Sequence, residues 1–295
     1  MKINKVTQFS LGFIGILLLL ILPVFTPIYS PSALTVAMTA SQAEILQQLV
    51  TAQVIYLGET HDQEADHQAQ LMIIEKLYEH QPQLAIGLEM FQRPFQQFLD
   101  QYVAGELTES ELKKQTEYQQ RWGFPWKYYA QILQFAQAKH LKLLALNTPA
   151  EITRKVARHG LESLTPSEWQ YLPPQDEIRT DNLSYRQLLF QVYQQHHQTA
   201  EISSPNFERF FLAQVLWDET MADAIVKFIR ENPDQRVVVL AGNGHISYGY
   251  GIPERVQRRL PNVMQRSVIF QSPNQSLIFG EASLDKPIAD YIWQH

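Results

Sequence analysis

Four short apolar runs, each stopped by a glycine or a polar residue, set the frame of this chain. Val54-Ile55-Tyr56-Leu57 stops at Gly58, and Leu84-Ala85-Ile86-Gly87-Leu88 stops at Glu89. Residues 141–146 stop at Asn147-Thr148-Pro149, and residues 236–240 stop at Ala241-Gly242-Asn243. Runs this short and this rich in branched residues predict buried strands. Between them lie stretches with helical spacing. Residues 63–80 carry Leu71, Ile74, Leu77 and Tyr78. Residues 41–51 read as a helix with Ser41 as N-cap, and residues 149–159 as one closed by Gly160. Short helices fit 94–103 and 109–115, longer ones 180–198 and 203–231, and a basic one 253–260. Residues 267–271 and 276–280 read as two last strands. Strands alternating with helices imply βαβ units and an α/β fold with a mostly parallel central sheet flanked by helices. The stretch 148–204 has no strand pattern and reads as a smaller all-helical subdomain. The α/β core then comprises 41–147 and 205–295.

The first 40 residues follow a different pattern. Lys2 and Lys5 precede an uncharged run from Leu11 to Phe25, broken by Pro23 and Pro27. This is the grammar of a signal peptide or N-terminal membrane anchor. The run is short for a spanning helix, which needs about 20 apolar residues. Either outcome predicts an exported domain, periplasmic or membrane-anchored.

Composition narrows the chemistry. The chain has no cysteine, which removes thiolate nucleophiles, disulfides and Cys-ligated metals or haem. A net charge of −6 gives no electrostatic footprint for nucleic acid. What remains is concentrated at the strand ends: Glu59 and His61 after the first, Glu89 after the second, Asn147 after the third, and Asn243 and His245 after the fourth. In a parallel sheet these ends share one edge, where ligands bind. Glu59 and His61, two apart in an extended turn, point the same way. Gly58, Gly242 and Gly244 permit positive φ and close backbone approach to a ligand there. Two glutamates and two histidines suit general acid–base work. A divalent metal could also be assembled from separate strands, although no short-range metal signature is present. Two further features stand out. Residues 121–129, RWGFPWKYY, are densely aromatic, and Gln214, Asp218 and Met221 fall on one helix face, with Asp218 placed to orient a strand-end residue or to cap a buried donor.

The stretches VIYLGETH, LAIGLEMF, LLALNTP, AQVLWDETMA and VVVLAGNGHISYGYGIPERV, in that order, resemble the ChaN-like haem-binding uptake proteins. That family sits in a wider superfamily with erythromycin-esterase-like and TraB/TIKI-like proteins. The resemblance implies haem as cofactor, held largely by the small helical domain with tyrosine as iron ligand. It also implies a homodimer when haem-loaded, and a partner in membrane haem-uptake machinery. Tyr171, Tyr185 and Tyr193 are the ligand candidates in the helical region, beside the pair His196-His197. In hydrolase-like relatives the strand-end residues carry the chemistry, and Glu59, His61, Glu89 and His245 match those positions. The leading expectation is haem or iron handling on the export side of a membrane. The alternatives are a metal- or Glu/His-dependent hydrolase and a tethered interaction module with a relict site.

Overall fold

The structure, a computed structural model, describes residues 40–197, 201–272 and 286–295. In chain order the elements are α1 (Ala40–Leu49), β1 (Val54–Glu59), α2 (Glu64–His80), β2 (Leu84–Gln92), α3 (Gln96–Val103), α4 (Glu109–Gln115), α5 (Tyr118–Arg121) and α6 (Lys127–Ala138). Then come β3 (Lys142–Asn147), α7 (Ala150–His159), α8 (Pro166–Trp169), α9 (Leu183–His196), α10 (Pro205–Glu231), β4 (Arg236–Gly242), α11 (Asn243–Ile246), α12 (Ile252–Arg259), β5 (Gln265–Gln271) and β6 (Tyr291–Gln294).

The six strands form one sheet in the order β3-β2-β4-β1-β5-β6, and every pairing is parallel. Side chains alternate across it as a pleat requires. Ile55, Leu57, Ile86, Leu88, Val238 and Leu240 face one core, which α1, α2, α3, α4 and α6 cover. Val54, Tyr56, Ala85, Val237 and Val239 face the other, beneath α10 and α12. Burial on both faces explains why the strands read as continuous apolar runs. From β1 the chain crosses toward β2 and β3, whereas from β4 it crosses the other way to β5. The neighbours β1 and β4 therefore send their connections to opposite sides, and a crevice opens at their carboxyl ends.

Local departures from the sequence reading have simple causes. The first helix starts at Ala40, so Ser41 lies inside it rather than capping it. β2 continues past Glu89 to Gln92 because the register with β3 shifts between Leu88 and Gln92, and the strand resumes pairing at Asn147. Such an irregularity re-aims a side chain without ending the strand. β6 is a four-residue edge strand, too short to show a period. The expected strand at 276–280 and the N-terminal segment lie outside the described residues. The described part of 148–204 contains no strand. Its α7 and the turn at Leu172 pack on Leu216 of α10, while α9 packs on Phe207, Phe211 and Val215 of the same helix. Among the described residues no helix is long and apolar enough to cross a membrane.

Candidate functional site

The carboxyl ends of β1, β2 and β4 bring Glu59, His61, Glu89 and His245 into one crevice as two neighbouring pairs, Glu59 with His61 and Glu89 with His245. Glu59 is fully buried at the end of β1 and receives three donors. His61 Nδ1 donates to its Oε1 at 2.8 Å, the Tyr129 hydroxyl to the same oxygen at 2.5 Å, and Gln70 Nε2 to its Oε2 at 2.9 Å. His61 itself stays 26% exposed. Its ring lies between Trp122 and Phe124, with centroids 4.7 and 4.8 Å away. The aromatic 121–129 segment thus folds over the β1 end and contributes Tyr129 to it. Behind this layer His67 Nε2 donates to the His61 carbonyl at 3.1 Å, fixing the loop.

Glu89 occupies the middle. Its Oε2 accepts the Gly242 N–H at 2.7 Å, and its Oε1 lies 3.3 Å from His245 Nε2. On the far side of that ring, His245 Nδ1 donates to Asp218 Oδ1 at 2.7 Å, and the Tyr185 hydroxyl donates to Asp218 Oδ2. Asp218 is fully buried on α10, one turn beyond Gln214. Asn147 is anchored differently. Its amide donates to the backbone carbonyl of Glu89 at 2.9 Å and holds β3 against β2.

The glycines serve by close approach, not by backbone hand. None of Gly58, Gly242 and Gly244 has positive φ. A Cβ on Gly242 would stand 2.8 Å from both Cε1 and Nε2 of His61, and one on Gly58 would stand 2.5 Å from Asn243 Oδ1. The bare backbone at Gly242 lets the outer nitrogen of His61 reach the Glu89 side of the crevice.

These contacts fix the charge states. Burial alone would raise the Glu89 carboxyl, but the charge and hydrogen bond of His245, the charge of His61 and the Gly242 N–H outweigh it and hold it down to about 2. Burial would lower His245, yet Glu89 and Asp218 on either side of the ring push it up to about 10. For His61, burial likewise pulls down, while the Glu59 hydrogen bond and the Glu89 charge win and raise it. Burial beside Glu59 pushes the Tyr129 phenol far up, and burial beside Asp218 does the same to Tyr185, so both remain donors. Perturbed groups gathered in a crevice mark candidate functional sites. Among the described residues no three His, Asp or Glu side chains are grouped to hold a metal ion. The acids here are spent on imidazole, amide and phenol donors.

A second feature adjoins this group. Leu189, Val192, Tyr193 and His197 from the α9 end, Phe210 and Gln214 from α10, and Gly244 line an apolar cleft of about 330 Å³. The Tyr193 ring is buried and stacks on His197 at 4.1 Å and 8°. Its hydroxyl makes no hydrogen bond among the described residues. The three tyrosines of the helical region are therefore placed very differently. Tyr193 faces the cleft, and Tyr185 is committed to Asp218. Tyr171 is half-buried in the α7–α10 cluster, its carbonyl accepting from Arg93 at 3.2 Å. The His196 side chain lies outside the described residues.

A parallel α/β sheet with a Glu/His crevice at its strand ends and an apolar cleft beside it defines the class. Residues 45–256 match the family described as haem-binding uptake, Tiki superfamily, ChaN, and the chain belongs to that family. ChaN of Campylobacter jejuni, solved with cofacial haem binding, superposes with a TM-score of 0.63 at 22% identity, covering 79% of this chain and 87% of that one. An erythromycin esterase mutant in its open conformation gives a TM-score of 0.47 at 16% identity over 80% of this chain and 74% of that one. The Arabidopsis thaliana chloroplastic protein RETICULATA-RELATED 5 is 27% identical over 289 residues, which is 90% of this chain and 37% of that protein. The chain thus spans little more than a third of this curated relative.

Proposed function

We propose that this chain binds haem through the Tyr193 phenolate in the cleft between α9 and α10, and serves haem or iron handling. The observation that carries the reading is an apolar cleft holding a buried tyrosine whose oxygen has no partner among the described residues. Tyr is an established haem ligand, favouring ferric iron. Leu189, Val192 and Phe210 offer the flat apolar contacts that a porphyrin needs. At about 330 Å³ the cleft lies near the lower end of ligand pockets, about 300–1,000 Å³, and so covers a porphyrin in part. A second copy of the chain closing over the exposed haem face follows from that, in keeping with the cofacial haem of the Campylobacter relative. The test is the absorbance spectrum of the purified chain with haemin. A ferric Soret band should form, vanish in Tyr193→Phe, and persist in Tyr171→Phe and Tyr185→Phe. Retention in Tyr193→Phe would reject the ligand.

The export side of a membrane is the proposed location, supported by Lys2, Lys5 and the uncharged run that follows. A membrane haem-uptake partner would meet the protein there. A fusion of residues 1–45 to a reporter active only outside the cytoplasm should be active. A well-expressed but silent fusion would overturn the location.

The strand-end group supports a second reading, hydrolysis by Glu and His. His61 combines a raised pKa, partial exposure and a buried carboxylate on its Nδ1, as an acid–base catalyst requires. Ester hydrolysis lost in His61→Ala, with the haem spectrum kept, is the expected signature. A chain inert toward a panel of esters would remove this reading.

A further inference from the structure

Two tyrosines from distant parts of the chain do the same thing at the strand ends. Tyr129, on α6, donates to Glu59 at 2.5 Å, and Glu59 accepts from His61 Nδ1 at 2.8 Å. Tyr185, on α9, donates to Asp218, which accepts from His245 Nδ1 at 2.7 Å. Both phenols and both carboxylates are essentially fully buried, with Tyr129 at 0%, Tyr185 at 1%, Glu59 at 2% and Asp218 at 0% exposure. Each chain of contacts ends in an imidazole whose Nε2 lies toward Glu89 and the Gly242 backbone.

We propose that Tyr129 and Tyr185 are positioning residues of the strand-end site, each clamping the carboxylate that aims one imidazole at the space around Glu89. A buried carboxylate with a single donor can turn about its last bond, and its histidine turns with it. A second donor on the carboxylate removes that freedom. For Glu59 the donors are His61, Tyr129 and Gln70, and Trp122 Nε1 donates to the Tyr129 hydroxyl at 3.2 Å, holding the phenol in turn. For Asp218 they are His245 and Tyr185, and the Arg255 guanidinium sits 5.1 Å over the Tyr185 ring. Outer partners of this kind set the tautomer and orientation of working imidazoles. The result is two tyrosine–carboxylate–imidazole relays converging on a shared carboxylate. His61 is the more exposed of the two and so the one that a substrate meets. The clamping of each imidazole needs no turnover, while its catalytic use rests on the hydrolytic reading.

The experiment is proton and nitrogen NMR of the full chain with labelled histidine, which reads the Nδ1–H resonances and titrations of His61 and His245. Tyr129→Phe keeps the ring and removes one hydrogen bond. It should shift the His61 titration by about half a unit, the scale of losing one bond among several, and leave the His245 resonance in place. Tyr185→Phe should move the His245 Nδ1–H resonance and leave His61 in place. Uniform 3-fluorotyrosine keeps every ring and every hydrogen bond and strengthens each phenol as a donor, so it should move both resonances. Unmoved resonances in the fluorinated protein, or Phe variants that shift both histidines alike, would overturn the proposal. These readouts need neither haem nor turnover. Failure of the hydrolytic reading alone would show as moved resonances with no ester hydrolysis in any variant. Tyr185→Phe with an intact Soret band would separate positioning from haem ligation.

Discussion

The strand-end group and the α9–α10 cleft lie side by side yet are built on opposite terms. In the first, the buried carboxylates and imidazoles already have partners inside the protein: Glu59 has three donors, and Glu89 lies between two histidines. In the second, the walls are mostly apolar and the Tyr193 hydroxyl makes no hydrogen bond among the described residues. A self-satisfied network holds a geometry and a charge state without a ligand, and in a low-dielectric setting it becomes costly when one member is removed. An apolar cleft with one unspent ligating oxygen holds nothing by itself and gains when something fills it. Mutations in the first should therefore be read as stability and titration, and mutations in the second as ligand binding.

The largest contrast should come from Glu89. Removing one partner of a buried ion pair costs about 3–5 kcal/mol because the other charge is left buried alone. Glu89→Ala should lose stability on that scale in urea unfolding at neutral pH, whereas Tyr193→Phe should stay within about 0.5 kcal/mol of the parent. Equal losses in both would erase the distinction. The same network gives the parent a two-sided pH profile. Glu89 is held down to about 2 against an ordinary value of 4.5, so its contribution is present above about 4.5 and is lost as pH falls through about 2. His245 is pushed up to about 10 against 6.5, so its contribution is complete below about 6.5 and is lost as pH rises through about 10. Melting temperature should thus plateau between about pH 4.5 and 6.5 and decline on both sides. Glu89→Gln should flatten the acid limb and make the alkaline limb shallower, since it removes the acid and one of the two carboxylates that raise His245. A parent profile still rising at pH 9 would contradict the charge states.

The two regions also differ in how far the sequence discloses them. Strands buried on both faces announce themselves as apolar runs, and a polar residue breaking such a run marks the strand end. Glu59, Glu89 and His245 were visible for that reason, with His61 two residues on. Asp218 was visible through its helix face, though its target was not. Tyr129, Gln70 and Tyr185 gave no such signal. They sit on helices whose aromatic and amide residues look like ordinary packing, and only the tertiary fold carries Tyr129 across 70 positions to Glu59. The dense aromatic segment could have been a flag, since it includes the residues that enclose His61. Among the three helical-region tyrosines, composition could not separate Tyr193 from Tyr185. The distinction lies in which residue of α10 each one meets.

The smallest expected effect concerns the backbone between the two imidazoles. Gly242 is spaced so that its amide reaches Glu89 while leaving room for the His61 ring. An added Cβ would lie 2.8 Å from Cε1 and Nε2 of that ring, closer than real contacts allow. The strand cannot yield easily, because Gly242 is paired with Glu59 of β1 and its amide is held by Glu89. The side chain of His61 can, since it is 26% exposed. Gly242→Ala should therefore turn His61 away from Glu59 and Glu89 at a cost of about 1–3 kcal/mol, the range for modest overpacking. Freed from those two carboxylates, His61 should titrate nearer its ordinary value, while His245, held by Asp218 on α10, keeps its own. The cleft contacts neither Gly242 nor His61, so haemin binding should be unaltered. The decisive measurement is the pair of histidine titrations beside a haemin titration on the same variant. A His61 curve that stays where the parent has it would mean that the backbone moved instead, and the close approach at Gly242 would lose its role in placing that imidazole.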